Sequence, residues 1–318
     1  MNCVALHPFG KMLCLSPSTQ FSDMAAAAAR LVHQDWLVIL RGREVSEAEH
    51  LELMGMFGTP SSFAFASNDP SRGEIVGTSG WHTDGPYVDQ SALVGYSHMG
   101  LYCIRSPRSV STSFLSTPPF LDRLSATLSN SLRDLDGISV MAPHYYPGSR
   151  YFHLVGPRSK QFTLSDWDNR NEYRHPLVVN VDGICGLNMH MGRLCGFVRR
   201  GAPLAERLDA IETSRLLGLL HDAFDKSVDI YEHNWIESDF ALVDNRLVPH
   251  LAHPGAGTSV EVMGLRVLRR AMAEMVEERT WQLCRVPPPR EPRTKRKISG
   301  SAMLRAMRKY LLNFLPKR

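Results

Sequence analysis

The chain has 318 residues, 43% of them hydrophobic, and a formal net charge of +4. That length holds one large β-rich domain or two smaller ones, and so mild a charge does not by itself imply a nucleic-acid partner. No apolar run approaches the roughly 20 residues of a membrane-spanning helix. Six cysteines without a Cys-x-x-Cys pair point away from a cysteine-held zinc site and towards reduced thiols in a cell interior. One basic residue, Lys11, precedes Arg30, and no clear cleavage site follows it, so a cytoplasmic location is expected, with organellar or nuclear targeting left open.

Residues 1–20 read as an irregular lead-in or a short hairpin. A helix from about Phe21 to His33 leads to a strand over Trp36–Leu40. Ser46-Glu-Ala-Glu49 is a capping box opening a helix to about Phe57. From Pro60 to Gly80 the chain is polar, with Asn68-Asp-Pro-Ser-Arg-Gly at its middle, which suits a lid loop. Strands are expected at Ala92–Cys103 and Ser109–Leu115, then helices at Pro118–Leu135 and Leu204–Phe224. An apolar strand, Phe240–Val243, is followed by the polar turn Asp244-Asn245-Arg246 and a second short strand carrying His250. Beyond it, Gly264-Leu-Arg266-Val-Leu-Arg269-Arg270 reads either as a strand or as a basic flank to a helix over Ala271–Gln282. Many short strands around a few helices predict a mainly β fold with peripheral helices, built on a double-stranded β-helix of the jelly-roll or cupin-like kind.

The C-terminus differs in composition. Pro287-Pro-Pro-Arg-Glu-Pro-Arg-Thr-Lys-Arg-Lys297 is a Pro-rich basic linker, and Leu304, Met307, Leu311 and Leu315 form an apolar stripe beyond it. Residues 1–286 are therefore expected as one domain, and 287–318 as a linker with an amphipathic helix. That helix is suited to docking on the first domain, on a second subunit or on a membrane surface.

The chemistry concentrates in Gly80-Trp81-His82-Thr83-Asp84-Gly85-Pro86-Tyr87-Val88. In an extended segment alternate side chains share a face, so His82 and Asp84 can reach one ion while Thr83 turns aside. An imidazole and a carboxylate are two-thirds of the 2-His-1-carboxylate triad that holds Fe(II) with positions left open for oxygen. His250 is the candidate third ligand. His253, three residues on and before Pro254, faces the other side of a strand. On the same parity Arg266 and Arg270 share a face, and Arg269 points away.

Together, Trp-His-Thr-Asp-Gly, Asp-Asn-Arg-x3-His and the downstream arginine resemble the Fe(II)/2-oxoglutarate-dependent oxygenases, specifically the taurine dioxygenase branch. His175-Pro176-Leu177-Val178 is similar to a mid-chain strand of that family, and the resemblance runs from about Trp36 to Arg270. It implies His82, Asp84 and His250 as metal ligands, Arg266 on the distal carboxylate of 2-oxoglutarate, and Thr112 as the hydroxyl beside it. A longer segment than usual between His250 and Arg266 leaves Arg269 as the alternative anchor. Arg270 is the implied substrate contact; Tyr87 is a candidate substrate contact read from the sequence itself, with Tyr102 and the Tyr145–Phe152 segment as further pocket candidates. The implied cofactors are Fe(II) and 2-oxoglutarate; the implied partners are O2 and a small polar or anionic molecule, with hydroxylation rather than halogenation because Asp84 is present. Two other readings stay open at this point: a zinc hydrolase using the same three ligands, and a non-catalytic relative acting as an interaction protein.

Overall fold

The computed structural model describes residues 1–67, 80–84, 95–106, 110–141, 171–253, 267–275 and 282–284. In chain order its first strands are β1 (Asn2–Ala5), β2 (Lys11–Cys14), β3 (Leu37–Arg41), β4 (Thr59–Pro60), β5 (Ala64–Ser67), β6 (Gly95–Arg105) and β7 (Ser111–Leu115). There follow β8 (Leu135–Met141), β9 (Asn171–Pro176), β10 (Val178–Val181), β11 (Ile184–Leu187) and β12 (Leu194–Arg199). The last are β13 (Ile230–Asn234), β14 (Phe240–Asp244), β15 (His250–His253), β16 (Val267–Met275) and β17 (Gln282–Cys284). The helices are α1 (Phe21–Asp35), α2 (Glu47–Gly55), α3 (Thr117–Arg123), α4 (Ala126–Asp134) and α5 (Ala210–Asp225).

The continuous apolar runs in β3 and β14 belong to strands buried on both faces. They lie side by side in the main sheet, ordered β1-β2-β3-β14-β6-β16-β4, with β5 also on β16. Alternation sorts that sheet's residues. Val38, Leu40, Tyr102, Phe240, Leu242, Ala271 and Ala273 face α1 and α2, forming one core with Met24, Val32, Leu53 and Met54. Leu37, Ile39, Met99, Leu101, Ala241, Leu268 and Met272 face the other way, onto Phe114 and Trp235 of the second sheet. That second sheet is β13-β7-β15, widened by isolated antiparallel bridges from His82 to His250 and to His190. Two sheets closing over a shared interior make the fold a double-stranded β-helix, as expected. A third core packs Trp81, Leu115, Phe120, Leu132, Leu216 and Phe224 together with the outer strands.

Of its two expected forms the lead-in takes the hairpin, β1 with β2. Several other elements depart from the sequence expectation. The polar stretch after Pro60 holds strand β5, paired with β16; residues 68–79 of the expected lid lie outside the described residues. The helix expected over Pro118–Leu135 is two helices, because Ser125 caps α4 by accepting from the Leu128 amide at 3.3 Å, and Leu135 already opens β8. The Leu204 segment is a short 3-10 turn, and α5 starts only where Asp209 accepts from the amides of Ile211 and Glu212. No helix runs from Ala271: Val267–Met275 is a strand held between β6 on one side and β4 and β5 on the other. Ala, Met and Glu favour helices weakly, and pairing on both edges overrides that preference. Residues 287–318 lie outside the described residues. Among the described residues no helix is long and apolar enough to cross a membrane.

Candidate metal centre

The segment carrying His82 is stitched in from both sides. His82 N–H donates to the His250 carbonyl at 3.1 Å and His250 N–H returns the bond at 2.8 Å. On the other side Thr83 N–H donates to Met189 O, and Met191 N–H to Trp81 O, each at 2.9 Å. Extended pairing fixes the alternation: Trp81 enters the helical core against Phe224, and His82 and Asp84 turn to the opposite side. Register then sets the third group, since a directly opposed residue in an antiparallel pair projects on the same face. His250 is opposite both His82 and Phe114 of β7.

His82, Asp84 and His250 each offer one ligand atom, all within 4.8 Å of one another. The Nε2 atoms of His82 and His250 stand 3.9 and 3.6 Å from the Asp84 carboxylate. His82 Nδ1–H donates to the Gly80 carbonyl at 2.8 Å, which leaves the Nε2 lone pair facing the cluster. Burial pushes both imidazoles down, His250 to about 3, so both are neutral at physiological pH. Burial would raise Asp84, but Arg270 foremost, then His250 and His82, outweigh it and hold the carboxylate below its usual range. Two neutral imidazoles and an ionised carboxylate form a donor set that fits a divalent transition metal, which needs its ligands deprotonated. The set comes ready to bind.

Asn245 explains why the Asp-Asn-Arg turn sits where it does. Its side chain accepts from the Asp84 amide at 2.8 Å and donates to the Asp84 carbonyl at 2.7 Å, clamping the backbone of a residue far away in sequence. Asp244 meanwhile receives both Nε and Nη2 of Arg246. The sequence showed this segment as a turn between strands and as part of the motif that carries the resemblance, without a role for the Asn245 side chain.

The remaining expected residues separate cleanly. Arg270 donates from Nη1 to both Asp84 oxygens, at 3.1 and 3.0 Å. Arg269 cannot serve as the alternative anchor. It points to the other side of the sheet, where it donates to His50 Nδ1 and to the carbonyls of Val45 and Ser46 between the rings of Phe63 and Tyr102. Tyr102 is therefore part of the outer core and not a pocket residue. His253 likewise faces away and pairs with the Ser113 hydroxyl at 2.7 Å. Thr112 shares the inward face of β7 with Phe114 and accepts from Trp235 Nε1–H at 2.9 Å. Arg266, Tyr87 and the Tyr145–Phe152 segment lie outside the described residues.

Two neighbours of the cluster escaped sequence reasoning. His190, opposite His82 on the bridge, puts a third imidazole in the row, with ring centroids 4.8 Å apart. Arg193 adds a second positive charge felt by Asp84, His82 and His190. The only signal was the run of polar residues Asn188, His190 and Arg193 within a mostly apolar stretch.

A jelly-roll bearing two imidazoles and one carboxylate that converge defines the class of non-haem iron oxygenases with open coordination positions. The chain belongs to the taurine catabolism dioxygenase TauD/TfdA family, whose sequence profile matches residues 8–272. It is an oxygenase of the hydroxylase type that depends on Fe(II) and 2-oxoglutarate. Among solved structures it is similar to a taurine dioxygenase from Burkholderia xenovorans, at 18% identity and a TM-score of 0.60, over 86% of this chain and 89% of that one. It is also similar to AAD-2 in complex with Mn(II) and N-oxalylglycine, at 16% identity and a TM-score of 0.62, over 87% and 99% of the two chains. No curated protein matches the sequence.

Proposed function

We propose that this oxygenase holds its iron through His82, Asp84 and His250 and hydroxylates an unactivated C–H bond of a small polar or anionic molecule. The observation that carries the reading is the cluster itself, with three ligand atoms within 4.8 Å of one another and the right protonation state on each. Iron and 2-oxoglutarate, when bound, supply the oxidising chemistry: O2 gives one oxygen atom to succinate and one to the substrate, and CO2 leaves. The chain supplies placement and charge. Asp84 fills the ligand position with a carboxylate, which favours hydroxylation over halogenation. Arg266 takes the distal carboxylate of 2-oxoglutarate, because a guanidinium stays charged and can bind both oxygens. Thr112 adds a hydrogen bond to the same carboxylate; its oxygen accepts from Trp235, so its own proton remains to be given.

Arg270 stands beside Asp84 with only one of its nitrogens engaged in that contact, and Tyr87 follows three residues after Asp84, so both are assigned to substrate. Support for an anionic substrate comes from the surplus of positive charge, Arg193 adding to Arg270 at the cluster. The test is anaerobic iron binding followed by oxoglutarate-dependent succinate release across a panel of sulfonates, carboxylates and neutral analogues. A folded chain that takes up neither iron nor 2-oxoglutarate ends the proposal, and a preference for neutral compounds ends its anionic part.

A further inference from the structure

We infer that Trp235 is a positioning residue for Thr112, its indole N–H setting the hydroxyl rotor so that the threonine proton is aimed at 2-oxoglutarate. This rests on the reading above that Thr112 meets the co-substrate carboxylate. Strand register places the Thr112 side chain on the inward face of β7, one pleat repeat from Phe114, the residue opposite His250. Register does not choose where a hydroxyl proton points, because the C–O bond rotates freely. A buried donor at 2.9 Å does choose: one lone pair is taken by Trp235, and the O–H must then turn away from the indole. Both side chains are buried, so no bulk water competes for that rotor.

The indole is itself held by a buried polar frame drawn from the segment 230–239. His233 packs edge-on against the Trp235 ring, with centroids 4.6 Å apart and planes at 86°. His233 Nε2–H donates to Asp239 at 3.0 Å, and the Tyr231 hydroxyl donates to its Nδ1 at 3.2 Å, which fixes the ring orientation. Asp239 is anchored by Arg41 through Nε and Nη2 at 2.8 and 2.7 Å and by the Ile236 amide at 3.2 Å. Burial would raise Asp239, but the Arg41 and His233 hydrogen bonds keep it an anion. The Asp239 carboxylate and the His233 imidazole are costly to bury, and an apolar replacement of similar volume would pack as well or better. What an apolar set would not do is orient one N–H at Thr112.

The experiment titrates 2-oxoglutarate anaerobically into the full chain loaded with Fe(II), following the visible charge-transfer absorption of the chelate. Trp235→Phe should weaken 2-oxoglutarate about three- to tenfold, the size of one buried hydrogen bond, with iron affinity unchanged; the thermal midpoint should fall, since the smaller ring also leaves a gap in the core. Should the phenylalanine variant misfold, benzothienylalanine at position 235 keeps the ring shape and deletes only the N–H; the same weakening is expected. Thr112→Val should weaken binding at least as much, and the double substitution no further than Thr112→Val alone, because the indole acts through the hydroxyl. Unchanged affinity in the variants lacking the N–H, or additive effects in the double substitution, overturns the inference. Absence of any chelate in the wild-type chain removes the functional reading beneath it, and so distinguishes that failure from this one.

Discussion

Arg269 and Arg270 are adjacent on β16, and alternation sends them to opposite faces of the main sheet. Arg269 enters the outer core under α2, where two backbone carbonyls, a histidine nitrogen and two aromatic rings surround it. Arg270 turns inward and gives one nitrogen to both oxygens of Asp84, with its side chain 36% exposed. A buried cation with a complete partner set has no chemistry left to do and acts as structure. A partly exposed cation resting on the Asp84 carboxylate is the one proposed to meet substrate. The same contrast runs through the whole sheet: its outer face is sealed by α1 and α2, and its inner face ends at the cluster.

Breaking the inner face should abolish function and leave the fold standing. Asp84→Ala removes the one anionic ligand atom, so iron uptake and oxoglutarate-dependent succinate release should both fall to background. The urea midpoint should stay close to wild type, since Asp84 belongs to none of the three cores. Iron binding that survives in this variant would separate the carboxylate from the metal.

The arginine pair tests the contrast directly. Arg269→Ala leaves the Val45 and Ser46 carbonyls without their charged donor and opens a gap between Phe63 and Tyr102, so about 2–4 kcal/mol of stability should be lost. Arg270→Ala should cost no more than about 1 kcal/mol, as expected for a partly exposed pair, yet raise the KM for substrate. Equal destabilisation by the two substitutions, measured in urea, would erase the distinction between the faces. Gly100 sharpens the outer side further. A Cβ there would stand 2.6 Å from His50 Nε2 and 2.8 Å from both Met54 Sδ and Phe240 Cζ. Gly100→Ala should therefore lose about 1–3 kcal/mol through overpacking, with 2-oxoglutarate affinity unaltered.

What the sequence revealed depended on how local each determinant is. Pairing His82 with Asp84, and separating His250 from His253 and Arg270 from Arg269, required only strand alternation, and the structure arranges these residues accordingly. Asn245 looked like turn chemistry, since its bonds to Asp84 depend on two segments meeting that are distant in sequence. Trp235 carried no assignment in the sequence, because its partner is a threonine on another strand. The alternative helix from Ala271 was legible composition that pairing overruled. Strands β8 to β12 were mostly missed, being short and unevenly patterned, although His175-Pro176-Leu177-Val178 marked the β9–β10 corner.

As well as on the cluster, acid should act on the sealed face. His98 lies there on β6, stacked on Phe57 and edge-on to His33, with Asp244 3.9 Å away and Arg246 nearby. Burial outweighs the attraction of Asp244 and pulls His98 down to about 4, and it pulls His50 under α2 down to about 3. Both are depressed in the folded state, so the unfolded chain binds more protons as pH falls below about 6.5. Their contribution is then present in full above that pH and is lost on the way down to about 4. For His98 alone the loss between pH 7 and pH 5 is about 2 kcal/mol, following the roughly 1.4 kcal/mol per unit of one unmatched proton. His98→Leu keeps an apolar side chain against Phe57 and cannot titrate, so its stability should fall by that much less over the same interval. Urea unfolding of both proteins at the two pH values measures the difference. Parallel losses in the two would mean that His98 is already protonated in the folded chain, and that Asp244, not burial, governs it.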